Sequence, residues 1–314
     1  MSEPVLHHVS CPDAGPGHRM AYWQWGDAGA PHSVVCVHGL SRQGRDFDVL
    51  ARALLARAAA QGRALRVVCP DVVGRGESDW LADPMGYQFP TYVADMLALL
   101  GVLHQQARIT TLDWVGTSMG GLIGLTLAGM PDLPLPAPVR RLVLNDVGPV
   151  IEWQALARIG QYLGRFGTAP SVEAAAARMR DISAGFGPHS DEEWLALSRP
   201  MLRPASEGGW RMHYDPAIAV PYAQVTEAAA AQGEAALWQL YDQVTADTLL
   251  LRGADSDLLS AATAQAMQQR GPQPRRIDFA GVGHAPTLVA PDQRDAVVDF
   301  LLPADPGARP GEAR

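Results

Sequence analysis

The stretch WVGTSMGG, residues 114–121, sets a serine between glycines. The apolar run TLDWV (111–115) leads into it and LIGL (122–125) follows. An unbroken apolar run reads as a strand buried on both faces, and the apolar spacing after the turn reads as a helix. Strand, then Gly116-Thr117-Ser118-Met119-Gly120, then helix puts the serine on a tight strained turn that flanking glycines make room for. Ser118 is therefore a candidate nucleophile. The amide of Met119, next in the chain, is a candidate donor to an oxyanion.

Working outward, SVVCVH (33–38), LRVVCP (65–70) and RRLVLND (140–146) are further continuous β-rich runs, separated by helical spacing over 46–61 and 89–106. Strand and helix in alternation predict an α/β fold: a mostly parallel, doubly wound sheet with helices on both faces. After residue 149 the pattern changes. Residues 151 to about 241 hold helical stretches and no convincing β-run, so residues 150–244 are expected to form an inserted all-helical cap. The core, begun in 1–149, resumes over 245–302 with strands near 246–252 and 275–279 and helices near 261–269 and 291–302. The tail 303–314, rich in Pro and Gly with no apolar face, is expected to be flexible.

Composition removes several function classes. A formal net charge of -8 and a pI near 5.5 argue against a nucleic-acid partner, which needs a cationic surface. All 25 basic residues are arginine, and the absence of lysine excludes Schiff-base, pyridoxal and P-loop lysine chemistry. No run of about 18 apolar residues suggests a membrane partner, and the opening residues have neither a basic start nor an apolar core, so a soluble, cytoplasmic protein is expected. Cys11, Cys36 and Cys69 are an odd set; the latter two lie in strand-like runs and read as small buried hydrophobes rather than a disulfide framework.

A serine hydroxyl needs a base beside it. His284, in FAGVGHAP (279–286), follows the last strand and so shares the carboxyl edge of the sheet with Ser118. A second oxyanion donor is expected from the turn after SVVCV, where His38-Gly39-Leu40 offers the Leu40 amide.

Five landmarks, His38-Gly39, DVVGRGESD (71–79), Gly116 to Gly120, LNDVGP (144–149) and Gly283-His284, together resemble the α/β-hydrolase superfamily. The branch is the one holding epoxide hydrolases, haloalkane dehalogenases, carbon-carbon bond hydrolases and small esterases. The 71–79 loop is expected to be structural. Epoxide hydrolases and dehalogenases carry a carboxylate where this chain has Ser118, so the resemblance implies acyl transfer instead. It implies a serine carboxylesterase working through an acyl-enzyme on a small-molecule ester, with no cofactor or metal and with the cap as a lid; a homo-oligomer is compatible with the sequence. Two rivals stand beside it: a carbon-carbon bond hydrolase of a vinylogous diketone using the same residues, and a catalytically silent hydrolase-fold scaffold.

The resemblance leaves the triad acid open. Most of the family places it three residues after the glycine of Leu251-Arg252-Gly253, where this chain has Ser256 flanked by Asp255 and Asp257. Small esterases with a serine there take the acid from the strand before the cap, which is Asp146 here. Asp146 and Asp257 both stand, with Asp255 third.

Overall fold

The structure is a computed structural model and describes residues 3–12, 15 and 17–304. It opens with an antiparallel hairpin, β1 (Val5–Cys11) and β2 (His18–Gly26). The alternating part follows: β3 (His32–Val37), α1 (Asp48–Ala60), β4 (Arg66–Pro70), α2 (Phe89–Gln106), β5 (Thr111–Thr117), α3 (Met119–Gly129) and β6 (Val139–Asn145).

The insert after β6 contains α4 (Trp153–Tyr162), β7 (Thr168–Ala169), α5 (Val172–Ile182), α6 (Asp191–Ser198), β8 (Leu202–Pro204), β9 (Trp210–Met212), α7 (Ala219–Tyr222) and α8 (Glu227–Gln243). The expected all-helical cap is thus corrected: β7, β9 and β8 pair antiparallel into a small sheet. Strands of two or three residues are shorter than any alternation a sequence can display. They lie over a local cluster that includes Phe166, Ala175, Met179 and Met201.

The core closes with β10 (Asp247–Gly253), α9 (Ala261–Met267), β11 (Arg275–Phe279) and α10 (Pro291–Leu301). Eight strands run in the order β1-β2-β4-β3-β5-β6-β10-β11, all parallel except at β2, which is antiparallel to both neighbours. The mostly parallel sheet expected from the sequence is present. From residue 305 the proposed tail lies outside the described residues.

Continuity of the apolar runs has a direct cause in the pleat. Val35, Val37, Trp114 and Leu250 enter the core under α2 and α3, while Val34, Cys36, Val115 and Leu249 enter the opposite core under α1 and α10. Neither face can be polar. The chain leaves β3 toward β4 but leaves β5 toward β6, so their exit loops diverge and open a crevice at the carboxyl ends of these neighbouring strands. Leu40 and Ser118 both lie at that crevice.

Candidate active site

Ser118 caps α3 with φ 52° and ψ -116°, a left-handed conformation costly for a residue with a side chain. The flanking glycines make the turn sterically feasible. A Cβ on Gly120 would stand 2.0 Å from the Val37 carbonyl oxygen, and one on Gly116 would stand 2.3 Å from that of Gly120. The Trp114 indole N–H donates to the Gly120 carbonyl at 3.0 Å and ties the strand to the first turn of the helix. Met119 is the first residue of α3, so its N–H has no acceptor within the helix and lies at the positive end of the dipole.

The opposite donor is held by two buried side chains. Val72 N–H donates to His38 Nε2 at 3.0 Å, which puts the His38 proton on Nδ1, and Nδ1–H donates to the Gly39 carbonyl at 2.7 Å. Carbonyl and amide point opposite ways across a trans peptide, so fixing the Gly39 oxygen aims the Leu40 N–H away from His38. Arg75 donates to the Leu40 carbonyl at 2.9 Å and fixes the next peptide. Among the described residues the Leu40 N–H has no protein acceptor. Burial, with smaller contributions from the Arg75 and Arg42 charges, lowers the His38 pKa to about 3 despite the Gly39 bond, so this imidazole is neutral. The 71–79 loop that supplies Val72 and Arg75 is braced by Asp71, which accepts from the Gly44 and Glu77 amides at 2.6 and 2.9 Å.

His284 bridges the hydroxyl and an acid. Its Nε2 lies 2.9 Å from Ser118 Oγ and its Nδ1 lies 2.7 Å from Asp146 Oδ2. An ionised carboxylate only accepts, so the proton sits on Nδ1 and the Nε2 lone pair faces the serine hydroxyl. Asp146 follows β6, is fully buried, and has φ 56°. Its Oδ1 accepts the Gly253 amide at 2.9 Å and its Oδ2 also accepts the Ser256 hydroxyl at 2.6 Å. The Leu258 and Leu259 amides donate to Ser256 Oγ at 3.2 and 3.1 Å, which leaves its one proton for Asp146. Ser256, where the resemblance implies an acid, here donates instead to a carboxylate from the end of β6.

Asp257, the sequence's other candidate, is not brought to His284. It is gripped by Arg158, whose Nε and Nη2 reach its two oxygens at 2.7 and 2.9 Å, and its side chain is 45% exposed. Asp255 is exposed as well. Sequence reasoning also missed Asn145, whose amide donates to Thr117 Oγ1 at 2.9 Å and to the Pro286 carbonyl at 2.8 Å. It ties the end of β5 to the His284 loop, and its place in LNDVGP was the available signal.

Ser118, His284 and Leu40 form the floor of a cavity of about 470 Å³ roofed by the insert. Of the insert's aromatics, Tyr162, Phe166, Phe186 and Tyr214 line it; Trp153, Trp194, Trp210, Tyr222, Trp238 and Tyr241 do not. The roof grips the His284 loop directly: Gly283 N–H donates to the Gly185 carbonyl at 2.6 Å, and His189 Nε2 lies 2.8 Å from Thr287 Oγ1. Among the described residues one group has a metal-capable donor set, Cys11, His18 and Asp95, with ligand atoms within 4.8 Å of one another. It sits at the hairpin edge of the sheet, away from Ser118. Cys11, Cys36 and Cys69 are buried and unbridged.

Known proteins share this fold. A model of the alpha/beta hydrolase family matches residues 34–300. The chain is 46% identical over 306 residues to the 3-hydroxybutyrate-oligomer hydrolase of Cupriavidus necator, covering 96% of this chain and 99% of that protein. Among solved structures, an alpha/beta hydrolase from Novosphingobium aromaticivorans superposes with a TM-score of 0.79 at 32% identity, covering 97% of this chain and 100% of the other. A putative hydrolase from Rickettsia typhi gives a TM-score of 0.80 at 25% identity over the same shares.

Proposed function

The chain belongs to the alpha/beta hydrolase family, and on that premise we propose that it is a serine hydrolase of carboxylic esters, acting on short oligomers of hydroxyalkanoates such as 3-hydroxybutyrate. The observation that carries the reading is the unbroken relay from Ser118 through His284 to buried Asp146, with Ser118, His284 and Leu40 on the floor of a covered cavity. The substrate class rests on the 46% identical relative.

The chemistry follows from the geometry. His284 Nε2 takes the Ser118 proton as Oγ bonds to the ester carbon, and the carbonyl oxygen becomes an oxyanion facing the Leu40 and Met119 N–H groups. Each such donor contributes about 3 kcal/mol to the transition state. Asp146 stays ionised and stabilises the imidazolium. Collapse breaks the bond to the alcohol oxygen, which leaves with the proton from Nε2. A water molecule, deprotonated by the same nitrogen, then attacks the acyl-serine, and the acid product departs as Oγ regains its proton. In an oligomer the leaving alcohol is the hydroxyl of the neighbouring unit. The reading needs no cofactor, nucleic acid or membrane partner, and the cytoplasm is the compartment we propose. Among the described residues no helix is long and apolar enough to cross a membrane.

A panel of p-nitrophenyl esters of increasing acyl length, with Ser118→Ala as control, tests it. Turnover that peaks at short acyl chains and vanishes in the variant is expected. No turnover on any member, or a ring-fission dienoate consumed faster than every ester, would overturn the ester reading.

A further inference from the structure

The cavity holds two arginines whose situations differ. Arg42 is 11% exposed, chelates Asp46 with two bonds of 2.6 Å, donates to the Leu197 carbonyl at 3.2 Å and packs over the Phe186 ring. It is committed to holding the cavity wall. Arg158 also lines the cavity, from cap helix α4, and chelates Asp257 in the core loop after β10. Both members of that pair are exposed, at 41% and 45%.

An exposed ion pair adds little to stability, and its carboxylate returns to water at small cost. A guanidinium presents a planar fork that matches any carboxylate in the same bidentate way, so Arg158 exchanges one carboxylate for another without losing a bond. The other charged lining groups, Asp46, Asp255 and Asp257, are acids that repel an anion. A linear ester oligomer of a hydroxy acid carries one free carboxylate, and Arg42 being locked, Arg158 is the cation that can receive it.

We propose that Arg158 is the carboxylate receptor of the substrate cavity and that Asp257 is a resident placeholder which the carboxylate of a hydroxyalkanoate oligomer displaces. The proposal rests on the ester-hydrolase reading above and adds to it a preference for oligomers with a free carboxylate over carboxyl-capped ones. Because the displaced pair also joins the cap to the core, binding of the acid loosens that link and re-forms it through the substrate.

The test compares the linear dimer of 3-hydroxybutyrate as its free acid with the same dimer capped as the primary amide, on wild type, Arg158→Gln and Asp257→Asn. The readout is the KM for the amide divided by the KM for the acid. Arg158→Gln should lower this ratio at least tenfold, whereas Asp257→Asn, which removes the competitor, should raise it severalfold. A merely structural cap link predicts that both variants move acid and amide together; a ratio unchanged in Arg158→Gln, or shifted the same way by both variants, overturns the proposal. p-Nitrophenyl butyrate, assayed alongside, separates the two levels. Turnover of it with an unmoved ratio sinks the receptor alone, and no turnover of any of the three substrates sinks the ester reading with it.

Discussion

His284 stands between a hydroxyl at 2.9 Å and a carboxylate at 2.7 Å, and the carboxylate end separates two residues that the sequence could not. Asp146 and Asp257 have equivalent motif credentials; what distinguishes them is tertiary, since Asp146 lies 138 positions from His284 and is fully buried while Asp257 is drawn off by Arg158. Asp146→Asn removes the acceptor that fixes the imidazole tautomer and should lower kcat on p-nitrophenyl butyrate by about 10⁴-fold, whereas Asp257→Asn should cost less than tenfold. Steady-state kinetics on the two purified variants checks this. His38 makes a separate prediction. Its pKa is about 3 in the folded chain against 6.5 ordinarily, so between those values the unfolded chain binds a proton that the folded chain does not. Its contribution to stability is whole above pH 6.5 and is lost as the pH falls toward 3, at about 1.4 kcal/mol per pH unit. Asp71, whose pKa burial raises to about 6, acts in the opposite sense below that pH. Both proteins share Asp71, so the difference between wild type and His38→Gln isolates His38. Urea unfolding at pH 7 and pH 5 should show the variant less stable at pH 7 but losing stability less steeply on acidification.

At the scale of elements, what the sequence displayed was whatever a local rule controls. The turn between β5 and α3 was legible because Gly116 and Gly120 are sterically obligatory, and the central strands because both of their faces are covered. A methyl group on Gly120 would drive α3 against the Val37 carbonyl 2.0 Å away. Gly120→Ala should therefore destabilise the fold by about 3 kcal/mol or more, read as a drop in the urea midpoint at constant slope. The hairpin strand β1 was not legible. It is a sheet edge on which residue type does not follow burial, since Val5 and Leu6 are exposed while His7 is half-buried. The three cap strands were hidden by their length; they pair β7 to β9 to β8 over a cluster that includes Phe166 and Met201.

Across the whole molecule, the fold was readable and the wiring was not. Order of strands and helices predicted a doubly wound sheet, and the sheet in turn predicts a crevice where β3 and β5 diverge. Which residues meet there depends on contacts between segments far apart in the chain. Gly253 and Ser256 orient Asp146, Asn145 anchors the His284 loop, and Gly185 reaches from the cap to Gly283. Each is a single hydrogen bond with no periodic signature. Together these contacts should make one serine hydroxyl unusually nucleophilic. Intact-mass spectrometry after treatment with a fluorophosphonate bearing a short alkyl chain measures that nucleophilicity at Ser118. One adduct per chain, mapped to the peptide containing Ser118 and absent in Ser118→Ala and much slowed in His284→Ala, is the predicted result; an unmodified protein, or an adduct that persists in Ser118→Ala, would contradict it.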